Sequence, residues 1–594
     1  MACSNRCHRG DDLWHHSTSL STNSTQGNIN MRKILISRVA VLLSLSCLAG
    51  AAETKSERDA RMKWFREANF GMFIHWGLYS VPAGEYKDQK DQGEWFLFQT
   101  KMPLSEYAKY TGQFNPVKFD AKEWVRIAKN AGMNYLVITA KHHDGFGMYP
   151  SELTDWCIKS TPFKRDPLKE LSVECKKEGI VFCVYYSIWD WQHPDYAERI
   201  PNNDLATGKP DMHRYVEFVK GQLKELITKY DPGLVWFDGQ GGPWTPDQGA
   251  EVCAYIHTLK PNIVIKDNFG VDKGGDYEVH ENTIPAGSLR KGADWETCMT
   301  MNGHWGYNKN DQGWKSTEYL ARSLVDCASK GGNLLLNVGP TSEGLIPTPS
   351  IERLEAIGKW TRVNGGSIYG ATASPLGELP WGRATQKDGK LYLHVFNWPK
   401  DGKLFVPLAN KPGKVALLIA PDQALQSISN DMGVAITLPA EAPDKIDSVI
   451  VIDLDGPATV RASDGSLLLA AANADIEGCA SLQESKSVKN IGGWTDKDVK
   501  ISWAVDTRAG VYHVVLTYAC GPDCAGSDVD VTVGDQKVSG HIESTGSFDD
   551  FKKISLGEIV IAKSGAAVVT IKATKMQAAA VMNLSEIKLT PVSK

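Results

Sequence analysis

Between about residue 60 and residue 370 the chain alternates short apolar runs with amphipathic stretches, and this alternation restricts its fold more than any other feature. The strand-like runs are 70–77, 135–140, 180–187, 234–238, 263–266 and 334–338. Helical patterns lie between them. In the longest, Val216, Val219, Leu223, Leu226 and Ile227 recur at spacings that place them on one helix face. Strand and helix repeated over this length predict a parallel α/β architecture, and a (β/α)8-like barrel fits the length better than a doubly wound sheet. No glycine-rich phosphate fingerprint follows the first run, which also weighs against a nucleotide-binding fold.

With 594 residues the chain exceeds what one hydrophobic core usually holds, so several domains are expected. The barrel is assigned to 53–370. After Gly370 the texture changes to alternating segments such as Leu391-Tyr392-Leu393-His394-Val395-Phe396, with turn residues at Asp388-Gly389 and Asp401-Gly402, which predicts a β-sandwich over 371–457. A strand-rich region over 458–594 is read as a second β-sandwich, either a carbohydrate-binding module or a packing module without a ligand, since fold alone assigns no function.

Residues 1–52 are read as an upstream extension followed by a signal peptide. Met31-Arg32-Lys33, an apolar stretch over 34–48 and Ala49-Gly50-Ala51 have the form of a secretory signal cleaved near Ala51 or Ala52. Residues 1–30 fit no targeting pattern, and Met31 is taken as the start. The mature chain is then exported, periplasmic or secreted, with no membrane span. Cys47 offers the alternative of a lipid anchor, although Ser44 stands where such boxes usually carry Leu. Of twelve cysteines, Cys3, Cys7 and Cys47 precede the cleavage point; the odd number that remains implies no dense disulfide framework, and Cys520 with Cys524 is the closest pair. The net charge of -5 gives no field suited to nucleic acid. Eighteen tryptophans are the compositional oddity; an indole face packs against sugar rings, and it also fills cores.

Catalytic groups in a barrel sit at the C-terminal ends of strands, so polar residues that close apolar runs are the candidates. Asp238 closes the run 234–238, and the period of two points Trp236 the same way. An aspartate there serves either as a nucleophile facing a sugar or as a cap for the following turn. His75 lies at the end of the first strand, within the run 70–77, and Lys141-His142-His143-Asp144-Gly145 follows the second run. Neighbouring strand residues face opposite ways and no third ligand has metal spacing, so no metal is expected. Neutral imidazoles offering one donor and one acceptor to hydroxyls are the better use. Of Tyr185 and Tyr186, one should face the barrel mouth.

These pieces resemble the family-29 glycoside hydrolases, the α-L-fucosidases. The matching blocks are Trp64-Phe65 with Gly71-Met72-Phe73-Ile74-His75-Trp76-Gly77, Gly93-Glu94-Trp95, Lys141 to Phe146, Val184-Tyr185-Tyr186-Ser187, Trp236-Phe237-Asp238-Gly239, Trp305-Gly306-Tyr307 and Gly332 to Pro340. The resemblance implies that Asp238 is the nucleophile and that His75, Glu94, Trp95, His142, His143, Tyr185 and Trp236 line a fucose pocket. It places Trp305 near the C5 methyl of the sugar. Burying that methyl is worth only about 1 kcal/mol, so hydroxyl contacts must share the discrimination.

The acid/base residue varies in position within this family. Glu281, in Asp276-Tyr277-Glu278-Val279-His280-Glu281, aligns with the acid/base of many members, although His280 replaces a proline. Glu296, in Asp294-Trp295-Glu296, aligns with another common Trp-Glu pair. Glu281 is favoured, on the expectation that a loop presents it to the leaving group. Asn268 stands where many relatives have Asp-Arg, which puts a guanidinium contribution in doubt. The implied chemistry is a two-step, configuration-retaining hydrolysis of fucosylated glycans that needs no metal or organic cofactor. A non-catalytic sugar-binding protein on a degenerate barrel, or a retaining glycosidase for another sugar, are the alternatives. Linkage preference and oligomeric state are not readable from the sequence.

Overall fold

The computed structural model describes residues 53–592 apart from 240, 267–274, 286–292, 378, 431, 457, 461–465, 472–473 and 486–487. The secretory-signal segment, the lipid-anchor candidate Cys47 and the departure at Asn268 lie outside the described residues. Among the described residues no helix is long and apolar enough to cross a membrane.

Eight parallel strands form the barrel: β1 (Phe70–Ile74), β2 (Tyr135–Lys141), β3 (Val181–Ser187), β4 (Leu234–Asp238), β5 (Val264–Lys266), β6 (Tyr277–Glu281), β7 (Asp294–Met299) and β8 (Asn333–Val338). Their order is β5-β4-β3-β2-β1-β8-β7-β6, so the sheet curls until β5 and β6 face each other. Asp276 staples this seam. Its N–H donates to the carbonyl of Ile265 over 2.8 Å, and its Oδ2 accepts the N–H of Ile265 over 2.8 Å. The buried guanidinium of Arg61 then grips both Asp276 oxygens at 2.6 and 2.7 Å.

Helices cover the outside, and short polar caps set where they begin. Asp120, Asp166, Asp211, Thr245 and Ser316 each accept backbone N–H groups at the start of Ala121–Ala131, Pro167–Glu178, Met212–Tyr230, Pro246–Leu259 and Thr317–Ser329. Gly132 and Gly179, at φ 90° and 69°, end two of them in the left-handed conformation that glycine adopts without strain. In Met212–Tyr230 the predicted stripe Val216, Val219, Leu223, Leu226 and Ile227 is buried.

Two strands escape a search for apolar runs. Tyr277–Glu281 and Asp294–Met299 mix charged and apolar residues, so neither reads as an apolar run. Glu281 therefore closes a strand, where the sequence reading expected a loop.

Beyond the barrel, a six-stranded antiparallel sheet and a three-stranded sheet enclose Leu391, Leu393, Leu404, Val406, Val434 and Ile450. Arg322 and Trp360 of the barrel helices donate to the carbonyls of Ile446 and Asp447 in this layer. The C-terminal region forms two further antiparallel sheets around Trp494, Ile501, Val514, Leu516, Val529 and Ile571. Cys520 and Cys524 are separate thiols, and Cys520 points into this core.

Candidate active site

Strand parity builds the site. In β3 and β4 the inward residues are Cys183, Tyr185, Ser187 and Leu234, Trp236, Asp238, whereas Val184, Tyr186, Val235 and Phe237 pack outward against the helices. The parallel register pairs Tyr185 with Trp236 and Ser187 with Asp238, so residues at one height meet around the mouth. They open into a cavity of about 470 Å³ whose described lining residues all belong to the barrel. His75, Glu94, Trp95, His142, His143, Tyr185, Trp236, Asp238, Glu281 and Trp305 all stand on its wall. Glu296 does not.

Asp238 is the most heavily supported group there. Tyr185 Oη donates to its Oδ2 over 2.7 Å, and the N–H of Gly239 donates to Oδ1 over 2.8 Å. His143 Nε2 lies 3.6 Å from Oδ2, and 32 % of the aspartate side chain remains exposed. Burial pushes its pKa up, but His143, which is charged only in the acid range where a carboxyl titrates, together with Lys266 and the two donors outweighs that and holds the carboxyl below its ordinary value. Gly239 sits at φ 94°, and a Cβ there would lie 2.7 Å from the indole of Trp189, so the turn that brings this N–H to the carboxylate requires glycine.

The three histidines are neutral hydrogen-bonding groups. Burial lowers His75 and His143 to about 4 and drives His142 down as well. His75 Nδ1 pairs with Asn337 Oδ1 at 2.8 Å, and His143 Nδ1 with Ser187 Oγ at 2.6 Å. His142 stacks on Tyr185 with ring centres 5.3 Å apart, and its buried Nδ1 has no partner among the described residues. His142, His143 and Asp238 bring potential ligand atoms within 4.8 Å of one another. The positive charge of Lys266 already acts on Asp238 and opposes a second cation there.

Glu94 is buried, which raises its pKa, and its Oε2 accepts the N–H of Gly306 over 2.8 Å. Glu281 is exposed on the cavity wall, its Oε1 held by Trp305 Nε1 at 3.0 Å. Glu296 is fully buried one layer down. Tyr135 Oη donates to its Oε2 over 2.5 Å and Trp236 Nε1 to its Oε1 over 3.0 Å, and burial raises its pKa to about 7.

Several wall residues carried no role in the sequence reading. Lys266 Nζ lies 4.1 Å over the Trp236 ring and donates to the carbonyl of Phe237. It closes the run 263–266, so the search for polar strand ends would have found it. Phe73, Trp189, Val279 and Cys298 also line the cavity. Asn337 links two candidates, since its Nδ2 donates to the carbonyl of Trp305 over 2.8 Å while its oxygen pairs with His75. Nothing short of strand register reveals Asn337.

The sequence model of the α-L-fucosidase family matches residues 49–366. Tissue α-L-fucosidase of Rattus norvegicus is 32 % identical over 417 residues, which are 64 % of this chain and 86 % of that one. The solved α-L-fucosidase isoenzyme 1 of Paenibacillus thiaminolyticus superposes with a TM-score of 0.63 at 36 % identity, covering 67 % of this chain and all of that one. A family-29 α-L-fucosidase of Bacteroides thetaiotaomicron, trapped as a covalent intermediate with 2-fluoro-fucosyl fluoride, superposes with a TM-score of 0.61 at 30 % identity over 69 % of this chain and 98 % of that one. The family match spans more than half of the sequence and the relatives are covered over most of their length, so the chain is a glycoside hydrolase belonging to the α-L-fucosidase family.

Proposed function

We propose that the chain is a retaining α-L-fucosidase in which Asp238 is the nucleophile and Glu281 the acid/base. The observation that carries the reading is the state of Asp238: a partly exposed carboxylate in a concave wall, kept ionised by two donors and by neighbouring positive charge. In the first step a carboxylate oxygen attacks the anomeric carbon of a bound α-fucoside. The glycosidic C–O bond breaks, its electron pair goes to the departing oxygen, and Glu281 delivers a proton there. In the second step the Glu281 carboxylate takes a proton from water, the water oxygen bonds to the anomeric carbon, and the ester to Asp238 breaks. Each step inverts, so configuration is retained; the two carboxyl groups of such an enzyme stand about 5–5.5 Å apart.

Glu281 suits the acid/base role better than Glu296 because it is reachable. It stands on the cavity wall, exposed to the water it must activate, with one oxygen fixed by Trp305 and the other available to the leaving group. Glu296 has both oxygens engaged inside the barrel. His75, His142, His143 and Glu94, polar groups on the same wall, are read as partners of the fucose hydroxyls, with Trp95, Trp236 and Trp305 as its apolar contacts. The family implies fucosylated glycans as substrates. Export rests on the signal-like segment at 31–52.

The test uses azide and an activated aryl fucoside. Glu281→Ala should be rescued to give a fucosyl azide of retained configuration, Asp238→Gly to give one of inverted configuration, and Glu296→Ala should not be rescued. Rescue of Glu296→Ala but not Glu281→Ala would reassign the acid/base.

A further inference from the structure

The aromatic wall does not stop at the cavity. Trp95 lines the cavity, edge-on to His143 at 5.2 Å. It is the N-cap of the short helix Phe96–Thr100, so Phe98, three residues on, emerges on the same side. Phe98 is 45 % exposed, lies edge-on to Trp95 with centres 5.6 Å apart, and stacks on the buried Trp191 at 5.6 Å and 28°. Trp95 also meets Trp191 at 5.4 Å and the cavity residue Trp189 at 5.9 Å. A single exposed phenylalanine is ordinary on a protein surface. A ring that continues an unbroken aromatic ladder out of a sugar cavity, with its orientation fixed from beneath by a buried indole, is not explained by core packing.

We propose that Phe98, backed by Trp191 and continuous with Trp95, is a stacking platform for the sugar unit to which fucose is attached. The chemistry that fits is a pyranose, whose apolar C–H face packs on an aromatic ring as on the indoles of the cavity. Four clustered rings are far too small an area for a stable protein partner. The inference rests on the fucosidase reading and deepens it: a sugar carried beyond a fucose seated in the cavity would meet the ring that borders Trp95. It makes Phe98 a determinant of preference for glycan over non-carbohydrate leaving groups.

The experiment compares two substrates on one variant. Fucosyl fluoride has no sugar as its leaving group, and a fucosyl-galactose or fucosyl-N-acetylglucosamine disaccharide has one. For Phe98→Ala, kcat/KM on the disaccharide should fall about 3- to 10-fold, chiefly through KM, while turnover of fucosyl fluoride stays within about twofold of the parent. Phe98→Trp should restore the disaccharide value. Equal loss on both substrates, or no loss on the disaccharide, overturns the platform. Absence of fluoride hydrolysis by the parent enzyme would instead strike the fucosidase reading itself, so the two failures are separable.

Discussion

The hydroxyl of Tyr185 donates to Oδ2 of Asp238 over 2.7 Å while its ring lies nearly parallel to Trp236 at 5.5 Å. One side chain thus holds the candidate nucleophile and braces the cavity wall. A hydrogen bond to a charged group is worth about 1.5–3 kcal/mol, and here it favours the ionised carboxylate.

Tyr185→Phe removes that donor and keeps the ring. The Asp238 pKa should rise, so the acid limb of the pH profile of kcat/KM moves to higher pH, and the optimum value drops roughly 10-fold or more. A profile that superimposes on the parent would show that the hydroxyl does not support the nucleophile.

Glu296 predicts a pH dependence of stability with a definite sign. Its folded pKa is raised to about 7 by burial, so the folded state holds a proton that the unfolded chain has released above the ordinary value of 4.5. The stabilising contribution is complete below about pH 4.5 and is lost as pH rises through about 7, on the order of 3 kcal/mol in all. Denaturant midpoints of Glu296→Gln measured from pH 5 to 8 should therefore fall less steeply than those of the parent.

The seam between β5 and β6 depends on Arg61. Removing one partner of a buried ion pair costs about 3–5 kcal/mol because the other is stranded. Arg61→Ala should lower the unfolding midpoint accordingly in chemical denaturation, and Arg61→Lys should recover only part, since an ammonium lacks the fork that engages both Asp276 oxygens.

His75 and His143, lowered to about 4 by burial, should remain neutral across the working pH range. Their ring proton resonances, assigned through His75→Gln and His143→Gln variants, should show no titration between pH 5 and 8. The stability these neutral rings supply is present above about pH 6.5 and is lost as pH falls toward 4, the opposite direction to Glu296. A midpoint near 6.5 for either ring would contradict the buried, hydroxyl-binding role.

Much of this site was legible because barrel geometry converts a one-dimensional rule into position. A polar residue closing an apolar run must stand at the mouth, which singles out Asp238 and His75 from the chain alone and also reaches Lys266. The rule fails at β6 and β7. Glu278, His280 and Glu281 in one and Asp294 and Glu296 in the other interrupt the apolar pattern, so Tyr277–Glu281 and Asp294–Met299 carry no hydrophobic run to mark them as strands.

The sequence by itself determined the barrel and the inward parity of Trp236 and Asp238, because periodicity and strand ends are local properties, and its resemblance to the fucosidase family named the two candidate glutamates. Only the tertiary structure distinguishes the surroundings of the two glutamates. The β6–β7 register pairs Glu281 with Cys298 and Val279 with Glu296, which sets Glu296 one inward layer lower, beneath Trp236, and leaves Glu281 at the rim. Register is fixed by hydrogen bonds between strands, and no spacing along a single chain encodes the height at which two segments meet.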